Sequence, residues 1–408
     1  LNIYRVVGGL VAAGIAICVG LSSYVVANEV KAPLVARAVG FPPRGSASAN
    51  AVLASYATRI AREQGATVTA REAAIAREAF VTEPLSPTAI SLIVAATPSG
   101  PQRHKLLALA GEITRRNGYL NEEQIKLAAS RGDDAAFFRW ISRSVLTNGA
   151  LRAGYVGAMA EATARPGAVA SLASVIGPGP SWEDSYWRQI LKRPGSLANA
   201  AKLRIRVAGA PWRRTEIKST DLALVSALVR SSQIETAHQL YEGLSEPLSS
   251  RGSNLLVNGD FARQPRLPPF DWELAVSGSL GSTIDEGQES LVVSAIGGAR
   301  GYAARQLVHL VPGGYRLSWS LTAGTPISPS SLSARLYCAE RGVKSVAPTP
   351  IKLSAGENYG TFSVSEGACR WHWLSIDVSL PDADAGVDLY LRKLSLVPIA
   401  ATGRASSR

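Results

Sequence analysis

Apolar residues recur along the chain with one spacing up to about residue 250 and with another beyond it. In the first stretch they fall three and four positions apart. Leu106, Ala110 and Ile113 make one stripe, and Phe137, Ile141 and Val145 another, the spacing that lays side chains along one face of an α-helix. Helix ends are written beside these stripes. Thr69-Ala70-Arg71-Glu72 reads as a capping box, in which Thr69 accepts from a first-turn amide and Glu72 reaches back. Ser86-Pro87 puts a capping hydroxyl before a proline at the first helical position. Asn117-Gly118, Asn148-Gly149, Gly177 and Gly209 read as stops, and Asn121, Ser181 and Thr220 as starts. About ten helices joined by short Gly, Pro or Asn turns follow, either an α-solenoid of serial hairpins or a helical bundle.

After Ser253 the period becomes two. Ser290 to Ile296, Ala303 to Val311, Tyr315 to Leu321, Ser333 to Cys338, Trp371 to Leu380 and Val387 to Val397 alternate or run apolar. Turns such as Pro312-Gly313-Gly314 and Asp382-Ala383-Asp384 separate them. Around ten short strands at this spacing predict a β-sandwich. A third pattern stands at the start, where Val6 to Asn28 is uncharged and rich in Val, Ala, Ile, Leu and Gly. That run is long enough to cross a hydrocarbon core of roughly 30 Å as a helix. It is also compatible with a signal peptide cut after Ala27, although the run exceeds a signal core and favours an anchor. The expected organisation is 1–31 as transmembrane anchor or signal segment, 32–45 as linker, 46–250 as helical repeat domain, 251–399 as sandwich and 400–408 as disordered tail.

Composition places the chain among globular proteins with a usable core. Of its 43 basic and 31 acidic residues, 27 and 18 lie between positions 28 and 250, and 15 and 13 from 251 onward, so the excess charge belongs to the helical part. There is no Lys/Arg run, and most of these charges sit at helical spacing beside acids. The reading is a solvated face, with no nucleic-acid partner. Among the three cysteines, Cys18 lies in the apolar run. Cys338 and Cys369 both fall in the strand-rich part, far from metal-type spacing, and an exported chain most simply joins them in a disulfide. Two buried thiols are the alternative.

Candidate chemistry is sparse. His104, His238, His309 and His372 have no His or Cys at ligand spacing. No nucleophile elbow, Walker loop, dinucleotide fingerprint or His-Glu-x-x-His is present. Asp271 with Glu273, and Asp382 with Asp384, read as same-face carboxylate pairs of the kind solvated surfaces carry. No catalytic residue, cofactor or metal is expected, and the chain does not read as an enzyme. Binding remains. Trp272, Trp319, Trp371 and Trp373 offer flat apolar faces for sugar rings, and Trp371 and Trp373 share one face of a strand about 7 Å apart. The same residues also suit a sandwich core. Trp140, Trp182, Trp187 and Trp212 read as helix-to-helix packing.

Asn254-Leu255-Leu256-Val257-Asn258-Gly259-Asp260-Phe261, followed by Trp272, resembles the opening strand, turn and tryptophan of jelly-roll carbohydrate-binding modules. The likeness covers Ser253 to Pro398. Ala262, Arg392 and Lys393 stand where such modules place acids around a structural calcium, so none is expected. In architecture the helical part resembles tetratricopeptide-like repeat proteins of the bacterial envelope. The resemblances imply a non-catalytic protein in the inner membrane with its bulk in the periplasm, or secreted if the first segment is cleaved. It would bind polysaccharide through the sandwich and a protein partner through the helices, within exopolysaccharide assembly or export. The competing expectation is an envelope scaffold without a glycan ligand, and an enzyme with an unrecognised site is a third.

Overall fold

The computed structural model describes residues 3–39, 45–63, 65–245, 253–324, 331–343, 348–367 and 369–399. Among the described residues, fourteen α-helices come first and ten strands follow. The chain divides into two compact units, 1–159 and 160–408. The change from helix to strand therefore falls inside the second unit, and the expected boundary at 250/251 and the tail from 400 lie outside the described residues.

In the first unit, α1 (Ile3–Asn28) is long and apolar enough to cross a membrane, with Val6–Asn28 only 6% buried. Residues 33–39 of the expected linker are a short helix, α2 (Pro33–Val39), whose Ala36 packs with Val25 and Ala47. Positions 40–44 lie outside the described residues. The array continues with α3 (Gly45–Arg62), α4 (Ala70–Thr82), α5 (Pro87–Ala96), α6 (Pro101–Ile113), α7 (Gly118–Arg131) and α8 (Asp134–Thr147), each packed on the next. α9 (Arg152–Ala162) follows. The capping box forms as its residues dictate: Thr69 Oγ1 accepts from the Glu72 amide at 3.3 Å, and Glu72 Oε2 accepts from the Thr69 amide at 2.8 Å. Arg59 of α3 clamps the same carboxylate with two bonds of 2.7 Å, which draws Glu72 down to about 2. Asn117 corrects the sequence reading, because it caps the start of α7, accepting from the Leu120 amide at 3.0 Å, and Asn121 lies inside that helix.

The second unit opens with α10 (Ala168–Ile176), α11 (Glu183–Ile190), α12 (Leu197–Ala208), α13 (Ser219–Arg230) and α14 (Ile234–Leu244). The expected packing tryptophans are buried at Trp140, Trp182 and Trp187, whereas Trp212 is half-exposed.

The ten strands are β1 (Glu273–Leu274), β2 (Leu280–Asp285), β3 (Ser290–Ala295), β4 (Arg300–His309), β5 (Gly313–Ala323), β6 (Leu332–Cys338), β7 (Ile351–Lys352), β8 (Gly356–Val364), β9 (Trp371–Ser379) and β10 (Val387–Pro398). They pair antiparallel in two five-stranded sheets. The front sheet runs β1-β4-β9-β6-β7 and the back sheet β2-β3-β10-β5-β8. Alternation supplies the core between them, with Leu374, Ile376 and Val378 of β9 facing Leu317, Leu321, Leu389 and Leu391 of the back sheet in one cluster. Leu255–Val257, read as a first strand, is irregular, and only its Leu255 amide reaches the Leu396 carbonyl, at 2.9 Å. Asn258 and Phe261 turn through the left-handed region (φ 52° and 54°). Phe261 and Trp272 then pack 5.6 Å apart in the core, Trp272 fully buried.

Candidate functional site

Each predicted aromatic takes its place from the side of the strand it occupies. Trp319 follows Tyr315 and Leu317 on the inner face of β5 and is buried in the core, as is Trp272. These two corrections have one cause, since a core between two sheets needs large residues and inner-face positions exclude a ligand. Trp371 and Trp373 lie on the outer face of β9, opposite in direction to Leu374 and Ile376.

The two part company there. Trp371 is 5% exposed. α14 covers it, with the His238 ring 4.8 Å away, while Phe270 lies at 5.5 Å and His309 at 5.1 Å. Trp371 is therefore helix-to-sheet packing, and the expected two-ring platform is reduced to the half-buried Trp373. A cavity of about 530 Å³ beside His238, Phe270 and Trp371 is walled by rings that pack edge-on and tilted against one another.

Around Trp373 the outer face of the front sheet gathers groups from four strands. Opposite it stand Leu307 on β4 and Tyr337 on β6; the next row along is Arg305, Ser375 and Arg335, and the next Tyr302, Asp377 and Ser333. Strict alternation along β4 would turn Tyr302 and Arg305, three positions apart, to opposite faces. An irregularity between Tyr302 and Ala304 inserts an extra residue, and both side chains point outward. That shift builds the site. The Arg305 guanidinium lies 4.3 Å from the Tyr302 ring and 4.3 Å from the Trp373 ring, a cation–π arrangement on both sides. Glu273 of β1 accepts from Arg305 Nε and Nη2 at 2.9 Å each, and from the Tyr302 hydroxyl at 3.2 Å. Burial works against the Arg305 charge, but the Glu273 bonds and charge outweigh it and hold the guanidinium above its ordinary pKa. Burial, then the Glu273 charge, push the Tyr302 hydroxyl up, which keeps it a donor.

A second polar set adjoins the first. Arg335 donates to Asp377, which also accepts from the Ser375 hydroxyl. Arg335 is exposed while Ser375 and Asp377 are buried. These residues, Tyr302, Tyr337 and the segment Pro348–Pro350 line a groove of about 530 Å³. The Cys338–Cys369 disulfide, whose Cα atoms are 5.8 Å apart, joins the end of β6, one residue beyond Tyr337, to the approach to β9. The buried His372 lies on the inner face, its Nε2 3.6 Å from Cys369 Sγ, and burial lowers its pKa.

Of the carboxylate pairs read from the sequence, Asp271 with Glu273 does not form. Asp271 precedes β1 and is buried, accepting from the Trp272 and Arg266 amides at 2.9 and 3.2 Å and from Arg263 at 2.8 Å. Burial pushes its carboxyl up against the pull of Arg263. Glu273 instead faces outward, and Asp382 and Asp384 are exposed in a turn. A smaller cavity of about 260 Å³ among the helices of the second unit contains Arg204 and Asp221. They pair with each other at 2.8 and 3.0 Å, so its strongest groups are already satisfied. Tyr302, Arg305, Arg335 and Asp377 were not legible as site residues. Their grouping depends on the β4 irregularity and on register across three strands.

No family model matches the chain, and no curated protein does. Among solved structures the C-terminal part is similar to carbohydrate-binding modules. A CBM4 structure is 16% identical over 35% of this chain and 99% of that one, with a TM-score of 0.27. A CBM61 module in complex with β-1,4-galactotriose is 11% identical over 36% of this chain and all of that one, with a TM-score of 0.27. The N-terminal cellulose-binding domain of a Cellulomonas fimi β-1,4-glucanase C is 18% identical over 36% and 97%, with a TM-score of 0.22.

Proposed function

We propose that this is a membrane-anchored, non-catalytic protein that holds a polysaccharide on the outer face of its front sheet, within exopolysaccharide assembly or export. The observation that carries the reading is Arg305, pinned by Glu273 between the rings of Tyr302 and Trp373. Fixed aromatic edges beside ordered donors and acceptors suit the C–H and hydroxyl surfaces of a sugar. Preorganisation of this kind reduces the ordering cost of binding. Arg335, Ser375 and Asp377 extend the polar half of the groove. Both outward carboxylates, Glu273 and Asp377, are committed to an arginine, which supports binding rather than the paired acid and base of glycoside hydrolysis.

The α1 apolar helix supports anchoring, and the disulfide supports an extracytoplasmic compartment. In this account the bulk of the chain lies in the periplasm, with the helices docking a protein partner. The rival reading, an envelope scaffold without a glycan, draws on the burial of Trp371 beneath His238.

Affinity electrophoresis of the full chain through gels containing neutral and acidic polysaccharides decides between them. Retardation by at least one polysaccharide, lost in Trp373→Ala, is expected. Equal mobility of the wild type in every gel would reject glycan binding and leave the scaffold.

A further inference from the structure

The helical array of the first unit has two unlike ends. Because α3 to α8 alternate in direction, the turns after α4, α6 and α8 lie at one end, together with the start of α3. The turns after α3, α5 and α7 lie at the other. Hydrogen bonds trace the first end across the array. Asn50 of α3 donates to the Glu29 carbonyl at 2.9 Å, just past α1. Thr88 donates to Asn50 at 2.5 Å, and Asn117 to the Pro87 carbonyl at 3.5 Å. Asn121 then donates to the Arg115 carbonyl at 3.2 Å and to Thr147 at 3.4 Å. The end that carries these turns is thus the end at which α1 finishes.

It is also the apolar end. Val81 and Leu85 are 79% and 77% exposed, Ile113 48%, Leu146 57% and Leu151 51%. Among the described residues, the opposite end shows one such side chain, Ile60 in the last turn of α3, 43% exposed; its connecting turns carry polar residues such as Ser99 and Asp133. Arg115, Arg116 and Arg152 stand exposed among the apolar residues. Among the described residues no carboxylate pairs with Arg115, Arg116, Arg139 or Arg143. Burial and then the charges of Arg115 and Arg139 lower the pKa of the half-buried Arg143, with no acid to offset them. Exposed apolar groups are disfavoured in water, whereas the exposed guanidinium groups among them are hydrated there and free to meet an anion. They match the boundary layer of a bilayer, where apolar side chains enter and arginines meet phosphates. α1 brings that layer to this end, since the 23 residues Val6–Asn28 extend about 35 Å and already fill the hydrocarbon.

We propose that this end of the helical array docks flat on the membrane surface, its turns inserted among anionic headgroups beside the point where α1 emerges. The proposal rests on the reading of α1 as an anchor, and the test separates the two. The full chain is reconstituted into phosphatidylcholine vesicles, with or without phosphatidylglycerol, that carry a doxyl-labelled lipid as quencher. A fluorophore is attached either to the native Cys18 or, with Cys18→Ser, to Leu85→Cys, Leu146→Cys or Ser99→Cys. Strong quenching is expected at Cys18, Leu85→Cys and Leu146→Cys, several-fold above that at Ser99→Cys. In phosphatidylglycerol vesicles Arg115→Gln with Arg116→Gln reduces quenching at Leu85→Cys several-fold. Quenching at Cys18 with Leu85→Cys and Leu146→Cys no different from Ser99→Cys would overturn the docking and leave the anchor standing. An unquenched Cys18 would remove the anchor, and the docking with it. No effect of the two arginine substitutions would overturn the headgroup contact.

Discussion

Trp371 and Trp373 are two residues apart on one face of one strand, yet the structure gives them different tasks. α14 lies on Trp371, with the His238 ring 4.8 Å away, and leaves Trp373 half-exposed against Arg305. Replacing Trp371 by Ala removes a buried ring and is expected to cost about 3–5 kcal/mol. Trp373→Ala is expected to cost well under half of that while removing the ring that stacks on Arg305. Chemical denaturation of the two variants beside wild type checks the order. An equal loss would mean that both rings are core. The pairing of the two on one face was legible in the sequence because strand alternation is a local rule. The covering of Trp371 was not, because His238 reaches it from a helix that precedes the sandwich.

Elements form where the local chemistry is complete. The Thr69–Glu72 cap and the Ser86–Pro87 start both appear as read, since each needs only residues within one turn. Asn117 misled because Asn-Gly suits either end of a helix, and the Asn117 side chain decides by accepting from Leu120. β1 and β7, two residues each, carry no period to detect, and the β4 irregularity is visible only against β9. The cap has a pH signature. Glu72 falls to about 2 because of the Arg59 bonds, with burial opposing and the Thr69 bonds assisting. A depressed carboxylate contributes stability that is present above its unfolded pKa, near 4.3, and lost as pH falls toward 2. The thermal stability of the first unit is therefore expected to fall as pH drops from about 4.5 to 2. Glu72→Gln should flatten part of that slope, and an unchanged slope would contradict the Arg59 clamp.

For the molecule as a whole, the change of period near residue 250 marked the order of helices before strands. The compact units divide elsewhere, at 159/160, because contacts between elements distant in sequence, not period, decide what packs together. The proposed extracytoplasmic compartment is supported by the Cys338–Cys369 disulfide. Peptide mapping of the chain without reductant is expected to recover both in one linked pair, and free thiols in protein from the exported fraction would contradict the extracytoplasmic placement. The outer face of the front sheet, from Trp373 and Arg305 to the adjoining groove at Arg335, is proposed to hold a glycan. A glycan array probed with the full chain and with Trp373→Ala measures it most directly. Retention of one class of polysaccharide by the wild type is expected, with at least a tenfold loss in the variant, a change of about 1.4 kcal/mol. Retention unaltered by Trp373→Ala would place any glycan elsewhere on the molecule, and no retention by the folded wild type would contradict the claim outright.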